Sequence, residues 1–392
     1  MSPPVIVGGG PAGCAAAIAL AGAGIAPRLI ERSHGATDKV CGDFLGADAI
    51  HLLNRLGCDP IARGAEPIRR VRLVLGRRIV EAALPFAGLS LSRRTLDAAL
   101  LARAEAAGAM VQRGHAVRRI VATTAHAHAN APHDDRPAAT MLGQNGTERG
   151  TEHGAQARPG WLVDGEAASA VFLATGKHDV RDHPRSRAKE TSVGLKQYLR
   201  LPPQAAARLG DATELTLFPG GYAGLQPVEG GRAALCIAVR GSTFQAVGGW
   251  EALLAAIGGE CPRFADLLDR CPPLLPKPLA VAGIPYGLLR RDTSPGLFRL
   301  GDQAAVIPSL TGDGMAIALH SGLLAAATWC RGGDAMAFQL QLRRDLARQM
   351  WLARALHAAF MRPALQPMVL SAAVPLLIRS IARWTRVQAA FV

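Results

Sequence analysis

The chain opens with a tight constraint. Pro4-Val-Ile-Val7 runs straight into Gly8-Gly-Gly10-Pro-Ala-Gly13, and an alanine-rich stretch from Cys14 to Ala23 follows. The short apolar run reads as a buried strand and the longer run after the glycines as a helix. Few folds accommodate a strand, a glycine turn and a helix with Gly8, Gly10 and Gly13 in G-x-G-x-x-G register. In that register Gly8 permits the tight turn, Gly10 lets the backbone approach a pyrophosphate, and Gly13 lets the helix pack close to the strand. Free N–H groups at the helix start then face phosphate. A second strand-like run, Ala26 to Ile30, ends in Glu31, the right distance on for a carboxylate to hold a ribose hydroxyl. The pattern predicts a dinucleotide seat and leaves open whether the dinucleotide is FAD or a nicotinamide.

At 392 residues the chain can bury a sizeable core, and two interlocked domains are expected. Although 49% of the residues are apolar, no run reaches the roughly 18 needed to span a bilayer. No charged-then-apolar leader precedes the first strand, so a cytoplasmic protein is expected. The seven cysteines are scattered, odd in number and without a C-x-x-C pair. That favours reduced thiols over a disulfide framework or a zinc site. The net charge of +14 is carried by arginine, with only five lysines. Such a balance attracts nucleotide phosphates, acidic substrates or an anionic membrane surface. Nucleic acid is not an expected partner, because aromatic platforms are scarce.

After Glu31-Arg32 a loop carries Lys39-Val-Cys41-Gly42-Asp43-Phe44, placed to reach over a cofactor before a helix at about Ala47 to Leu56. Strand-like runs Val71–Leu75 and Ile79–Leu84 suggest a hairpin about Gly76. Ser92 is a plausible N-cap for a helix running to Gly108, with Leu96, Leu100 and Leu101 at helical spacing. An arginine at a helix start is unfavourable unless an anion offsets it, which marks Arg93 or Arg94 as a phosphate or carboxylate contact. Residues 123–158, with His126, His128, His133 and His153, are nearly free of large apolar side chains. They read as a flexible insertion, not a metal site. Trp161-Leu-Val163 and Ala170 to Gly176 read as strands of a meander lying over the nucleotide domain. From Thr191 to Tyr286 short strands alternate with Gly-Gly turns and two helical runs, giving an antiparallel substrate domain. Phe218, Tyr222, Leu225 and Gln226 are its candidates for a pocket lining.

A second constellation, Phe298-Arg-Leu-Gly301-Asp302 and then Thr311-Gly-Asp-Gly314-Met315, repeats the strand–turn–helix logic far from the first. Asp302 follows a strand-end glycine, where it can accept from sugar-chain hydroxyls. The N–H groups of Gly314 and Met315 open a helix and can stabilise negative charge on a ring system.

Taken in order, Gly8-x-Gly10-Pro-Ala-Gly13, Glu31, Arg93-x-x-x-Asp97, Ala174-Thr-Gly176, Gly301-Asp302 and Thr311–Gly314 resemble the FAD-dependent monooxygenases and oxidoreductases of the p-hydroxybenzoate hydroxylase fold. Lys39-x-Cys41-Gly42 and the Thr311–Met315 turn are similar to the geranylgeranyl reductase-like branch. The resemblance implies an α/β fold: a Rossmann-like FAD-binding domain interleaved with an antiparallel-sheet substrate domain, plus a helical C-terminal tail. The corresponding segments are 1–68, 92–178 and 286–335 for FAD, 69–91 and 179–285 for substrate, and 336–392 for the tail. It further implies that Ala12 and Gly13 lie on the FAD pyrophosphate, with Glu31 and Arg32 at the adenosine ribose. Cys41, Gly42 and Arg93 would contact the cofactor, Val117 in the strand before the insertion would touch the adenine side, and Asp302 would hold the ribityl–phosphate region. Gly314 and Met315 would lie beneath the flavin pyrimidine ring.

Two departures qualify the resemblance. The middle motif carries Ala174-Thr-Gly176 where aromatic hydroxylases usually place Asp before Gly, and the W-x-W-x-I-P signature of flavin halogenases is absent. Halogenation is therefore not expected. With no second G-x-G-x-x-G, NAD(P)H is expected as a transient reductant on the flavin domain. The favoured expectation is a flavin monooxygenase that hydroxylates an aromatic or polyketide-like molecule. The alternative is a reductase of an isoprenoid or other hydrophobic double bond, favoured by Cys41-Gly42 and by the apolar tail Pro363 to Ile378 with its basic end. That tail is also the candidate for peripheral membrane contact. No residue stands out as a catalytic base.

Overall fold

The computed structural model describes residues 2–123, 160–185 and 192–372. The predicted histidine-rich insertion, apart from Thr123 at its start, and the last part of the tail lie outside those residues.

The sheet that seats the opening motif is parallel and five-stranded, in the order Leu297–Arg299, Val171–Leu173, Val5–Val7, Arg28–Glu31, Met110–Arg113. Of its three central strands, Val5–Val7 and Val171–Leu173 are unbroken apolar runs buried on both faces, and Arg28–Glu31 buries Leu29, Ile30 and Glu31. For the same reason Val171–Leu173 belongs to this sheet and not to the expected meander. That meander is formed by Ile120–Ala122, Trp161–Val163 and Glu166–Ala168, and it packs on Val5, Val7 and Ile30. Val117 lies in the loop between Met110–Arg113 and Ile120–Ala122, not in a strand as expected. His115 there donates its N–H to the Glu31 carbonyl at 3.1 Å, which fixes the loop to the end of the neighbouring strand and leaves no pairing for Val117.

Helix Pro11–Gly22 starts at the glycine turn with Pro at its first position, where no N–H is needed. It packs against helix Gly314–Cys330 so closely that a Cβ on Gly322 would sit 2.3 Å from the Ala12 carbonyl oxygen. The two predicted turns are thus brought side by side by their own helices. The predicted N-cap is present as well: Ser92 Oγ accepts from the Thr95 N–H at 3.3 Å to open helix Arg93–Ala106.

The second sheet has eight strands in the order Leu279–Ile284, Ser192–Arg200, Arg232–Arg240, Gly221–Val228, Ala212–Phe218, Glu66–Leu75, Arg78–Ser90, Phe44–Leu45. Its pairings are antiparallel except where Ala212–Phe218 meets Glu66–Leu75. One face packs on helices Trp250–Glu260 and Pro262–Leu268 through Leu253, Ile257 and Phe264. The other turns toward the parallel sheet. Helix Ala335–Phe360 and the short helix Gln366–Ala372 close that side, with Phe360, Met361 and Leu370 packed on Leu73, Leu217 and Tyr222.

Candidate functional site

Where the two sheets face each other they enclose a cavity of about 450 Å³. One end is built from the predicted motifs: Gly10 and Ala12 of the first turn, Cys41 and Gly42 of the loop, Gly301 and Asp302, and Gly314 and Met315 of the second turn. The other end is apolar, formed by Leu73, Leu215 and Ile284 of the second sheet with Leu356, Phe360 and Val369 of the C-terminal helices.

The glycines divide by role. Gly8 holds φ +109°, and a Cβ there would meet the Ala174 carbonyl oxygen at 2.4 Å. A Cβ on Gly13 would lie 1.9 Å from the Gly8 oxygen. These two make the strand–turn–helix joint possible. Gly10, Gly42 and Gly314 instead border open space, the nearest atom to any added Cβ being 3.4 Å away at Arg93 Nη2. A bare floor flanked by two helix N-termini fits a flat ligand that carries a pyrophosphate.

Glu31 is buried at the end of its strand. Its Oε2 accepts from the Gly9 N–H at 2.7 Å and its Oε1 from the Ser33 N–H at 3.0 Å. Burial pushes its pKa up, but nearby Lys39 and those two N–H groups outweigh burial and hold the carboxyl below its ordinary value. An ionised carboxylate with spare lone pairs beside the glycine turn is suited to accept sugar hydroxyls. Arg32 is exposed and bonds His178 at 2.9 Å, outside the cavity.

Arg93 lines the cavity, but its anion is internal. Nε and Nη2 make a two-point bond to Asp97 at 2.8 and 2.9 Å, and Lys39 joins the same carboxylate at 3.0 Å. Burial alone would lower the Arg93 pKa, and Asp97 together with the Cys41 thiol reverses that and raises it. Cys41 therefore stands against a permanent cation at the cavity wall. Behind it, Cys236 donates to the Cys41 carbonyl at 2.9 Å, and burial pushes that second thiol up to about 12.

Of the four predicted pocket residues, Tyr222 and Gln226 line the cavity, whereas Phe218 and Leu225 do not. Side chains alternate along a strand, so residues 222, 224 and 226 share the cavity face and Leu225 must point to the helices. The same parity turns Phe218 away while Leu215 faces in.

Three features were not expected from the sequence. Lys177, in the loop that follows strand Val171–Leu173, reaches Asp302 at 3.3 Å and the Val40 carbonyl at 3.2 Å. Burial lowers its pKa, and Asp302 and Cys41 raise it further than burial lowers it. A lysine directly after the Ala174-Thr-Gly176 motif was the available signal. Tyr222 and Tyr286 both bond Ser309 Oγ, at 2.8 and 2.9 Å. Lys196 and Asp43 form a fully buried ion pair beneath the loop; a lysine within a strand gives no hint of its partner.

Residues 2–171 match the family model described as FAD binding domain. Among curated proteins the chain is similar to digeranylgeranylglycerophospholipid reductase 2 of Methanopyrus kandleri. The two are 27% identical over 332 residues, covering 82% of this chain and 75% of that protein. Among solved structures it superposes on a flavoprotein/dehydrogenase from Cytophaga hutchinsonii with a TM-score of 0.73 at 15% identity, covering 98% and 92% of the two chains. A geranylgeranyl bacteriochlorophyll reductase-like protein from Thermoplasma acidophilum gives 0.66 at 18% identity, covering 98% and 92%. A flavin-dependent brominase gives 0.70 at 15%, covering 98% and 93%. The match over residues 2–171 thus gives the chain an FAD-binding domain, and the likeness to the solved structures gives it the fold of these flavoproteins. Its first 171 residues carry the FAD-binding domain, joined to the sheet-and-helix architecture of the geranylgeranyl reductase-like and halogenase-like flavoproteins.

Proposed function

We propose that this protein is an FAD-dependent reductase of a hydrophobic small molecule and that the bond it reduces is a carbon–carbon double bond of isoprenoid type. The observation that carries this reading is the cavity itself: one continuous space runs from the bare-glycine seat past Cys41 to walls of Leu, Ile, Phe and Val. The curated relative, whose name specifies a reductase of a digeranylgeranyl lipid, supports the same substrate class.

FAD, when bound, supplies two-electron chemistry at its ring. The protein's residues would bind and orient. Gly10, Ala12 and the N-terminus of helix Pro11–Gly22 would take the pyrophosphate, and Glu31 the adenosine ribose. Asp302, held by Lys177, would take the ribityl hydroxyls, and the N–H groups of Gly314 and Met315 would face the pyrimidine ring, where negative charge grows on reduction. Cys41, beside Arg93, faces the junction of seat and substrate. NAD(P)H would act as a transient reductant.

The protein should purify yellow or take up FAD, and reduced nicotinamide should bleach the flavin. Substrate-dependent turnover without oxygen supports the reductase. Oxygen uptake matched to substrate and nicotinamide would instead assign hydroxylation of an aromatic or polyketide-like molecule. We further propose that the protein touches membranes peripherally through its C-terminal helices, where a lipid-soluble substrate would be collected.

A further inference from the structure

Three hydroxyl groups converge at the cavity wall, from three separate parts of the chain. Tyr222 comes from strand Gly221–Val228, Tyr286 from the loop after strand Leu279–Ile284, and Ser309 from the turn that precedes helix Gly314–Cys330. Ser309 Oγ lies 2.8 Å from the Tyr222 hydroxyl and 2.9 Å from that of Tyr286, so it bridges the two. All three residues line the cavity.

A hydrogen count gives this cluster a consequence. Three hydroxyls carry three hydrogens, and the two bonds among them use two. The third has no acceptor among the described residues. Burial pushes both phenols above their ordinary pKa, Tyr222 strongly, so the hydrogens stay on at neutral pH. His357, whose ring lies 4.9 Å from Tyr286 and 6.1 Å from Tyr222 centre to centre, is held neutral by burial, its pKa lowered to about 4. It therefore brings no charge to the cluster. The cations at the cavity wall are also committed: Arg93 to Asp97 and Lys177 to Asp302. An anionic ligand group would have to compete with those carboxylates, whereas a neutral oxygen would complete the hydroxyl chain.

We propose that Tyr222, Ser309 and Tyr286 form a hydrogen-bond donor site for one uncharged oxygen, carbonyl, ether or alcohol, on an otherwise apolar ligand. The ligand's apolar body would lie along Leu215, Leu73 and Phe360, and its oxygen would sit on the side of the cavity nearest the second glycine turn. This rests on the reading of the cavity as a hydrophobic substrate site and adds to it the polar group that sets the substrate's register. Burying that oxygen without a donor would be costly, so the site selects for it as well as orienting it.

The test uses β-ionone, an apolar isoprenoid enone, with the FAD-loaded protein. Equilibrium dialysis gives its affinity, and infrared difference spectroscopy gives the carbonyl stretch of the bound probe. In the unaltered protein the stretch should fall to lower frequency than in hydrocarbon solvent, as it does when a carbonyl accepts a hydrogen bond. In Tyr222→Phe/Tyr286→Phe, and separately in Ser309→Ala at the exposed member of the cluster, that shift should shrink or vanish. Affinity should fall about five- to tenfold, with FAD stoichiometry retained. Unchanged frequency and affinity in both variants would overturn the donor site while leaving the hydrophobic cavity intact. Failure of β-ionone to bind the unaltered protein would overturn the cavity reading, and the donor site with it.

Discussion

Lys196 Nζ lies 2.5 Å from Asp43 Oδ2, and neither side chain has any exposure to solvent. The same carboxylate oxygen accepts from the Tyr198 hydroxyl at 2.7 Å, and the Lys196 ammonium lies 4.4 Å from the centre of the Tyr198 ring. Asp43 is the residue after Cys41-Gly42 and holds a left-handed backbone at φ +58°. The pair thus pins the loop that borders the flavin seat to strand Ser192–Arg200 of the second sheet. A buried pair of this kind contributes little beyond well-packed apolar residues, but leaving one partner alone is expensive. Lys196→Met should destabilise the protein by about 3–5 kcal/mol. Adding Asp43→Asn should restore part of the loss. Denaturant unfolding of the single and double variants, with FAD titrations alongside, checks both expectations.

Glu31 is placed to serve the turn as well as the ligand. Removing its carboxylate leaves the buried Gly9 N–H without an acceptor. Glu31→Ala should therefore weaken FAD at least tenfold and also lower stability by about 1–3 kcal/mol. Its pKa is depressed in the folded protein, so its contribution is fully present above the ordinary carboxylate value and is lost as pH falls through the folded one. FAD fluorescence quenching measured across the acid range, in the parent and in Glu31→Ala, gives the comparison; equal affinities would show that the ribose is held elsewhere.

The parts of this molecule that local chemistry dictates were readable from the sequence. Both glycine turns, the Ser92 cap and the two-face burial of Val5–Val7 follow from spacing and side-chain type alone. Phe218 and Leu225 were misassigned because strand parity depends on register, and register is set by pairing with segments far along the chain. Ser309 and Tyr286 could not be associated with Tyr222 for a related reason: only the folded arrangement of two sheets brings the three hydroxyls together. Nothing local marks Lys196 as buried, because its partner Asp43 lies far away along the chain.

The glycines of the site should separate by experiment. Gly13→Ala puts a methyl 1.9 Å from a backbone oxygen and should abolish FAD binding or folding. Gly224 faces the cavity, and its nearest neighbour to an added Cβ is the mobile end of Leu215 at 3.5 Å. Gly224→Val should fold and bind FAD while reducing the affinity of bulky hydrophobic ligands. Far-UV circular dichroism and flavin content distinguish the two cases.

His357 should give the protein an acid-sensitive term. Its imidazole pKa falls from an ordinary 6.5 to about 4, chiefly through burial and secondarily through Arg240. The unfolded chain takes up this proton near pH 6.5, the folded chain only near pH 4. The stabilisation by the neutral ring is thus complete above the unfolded value and is lost as pH falls through that window, up to about 3 kcal/mol. In His357→Gln the pH dependence between those limits should flatten relative to the parent. Unfolding midpoints measured at several pH values, as differences between the two proteins, isolate this group from the carboxylates that titrate nearby.

The proposed membrane contact has its most specific expression on helix Ala335–Phe360. Met336, Leu340 and Trp351 are 57, 46 and 72% exposed, and Met368 on the next helix is 65% exposed. Arg344 and Arg354 are exposed on the same helix. The one acid within the helix, Asp345, is turned to His320 at 2.8 Å, and the exposed Asp334 at its N-cap accepts from the Ala337 N–H at 2.8 Å. The opposite side of these helices supplies Leu356, Phe360 and Val369 to the cavity wall. No helix among the described residues is long and apolar enough to cross a membrane. An exposed tryptophan among arginines is suited to the headgroup region, where apolar insertion and charge attraction act together. The protein should co-sediment with phosphatidylglycerol vesicles and much less with phosphatidylcholine vesicles, and the binding should weaken with salt. Trp351→Ala should reduce binding in both low and high salt, whereas Arg344→Glu should act mainly at low salt. Vesicle binding that is indifferent to both substitutions would remove this face from the membrane contact.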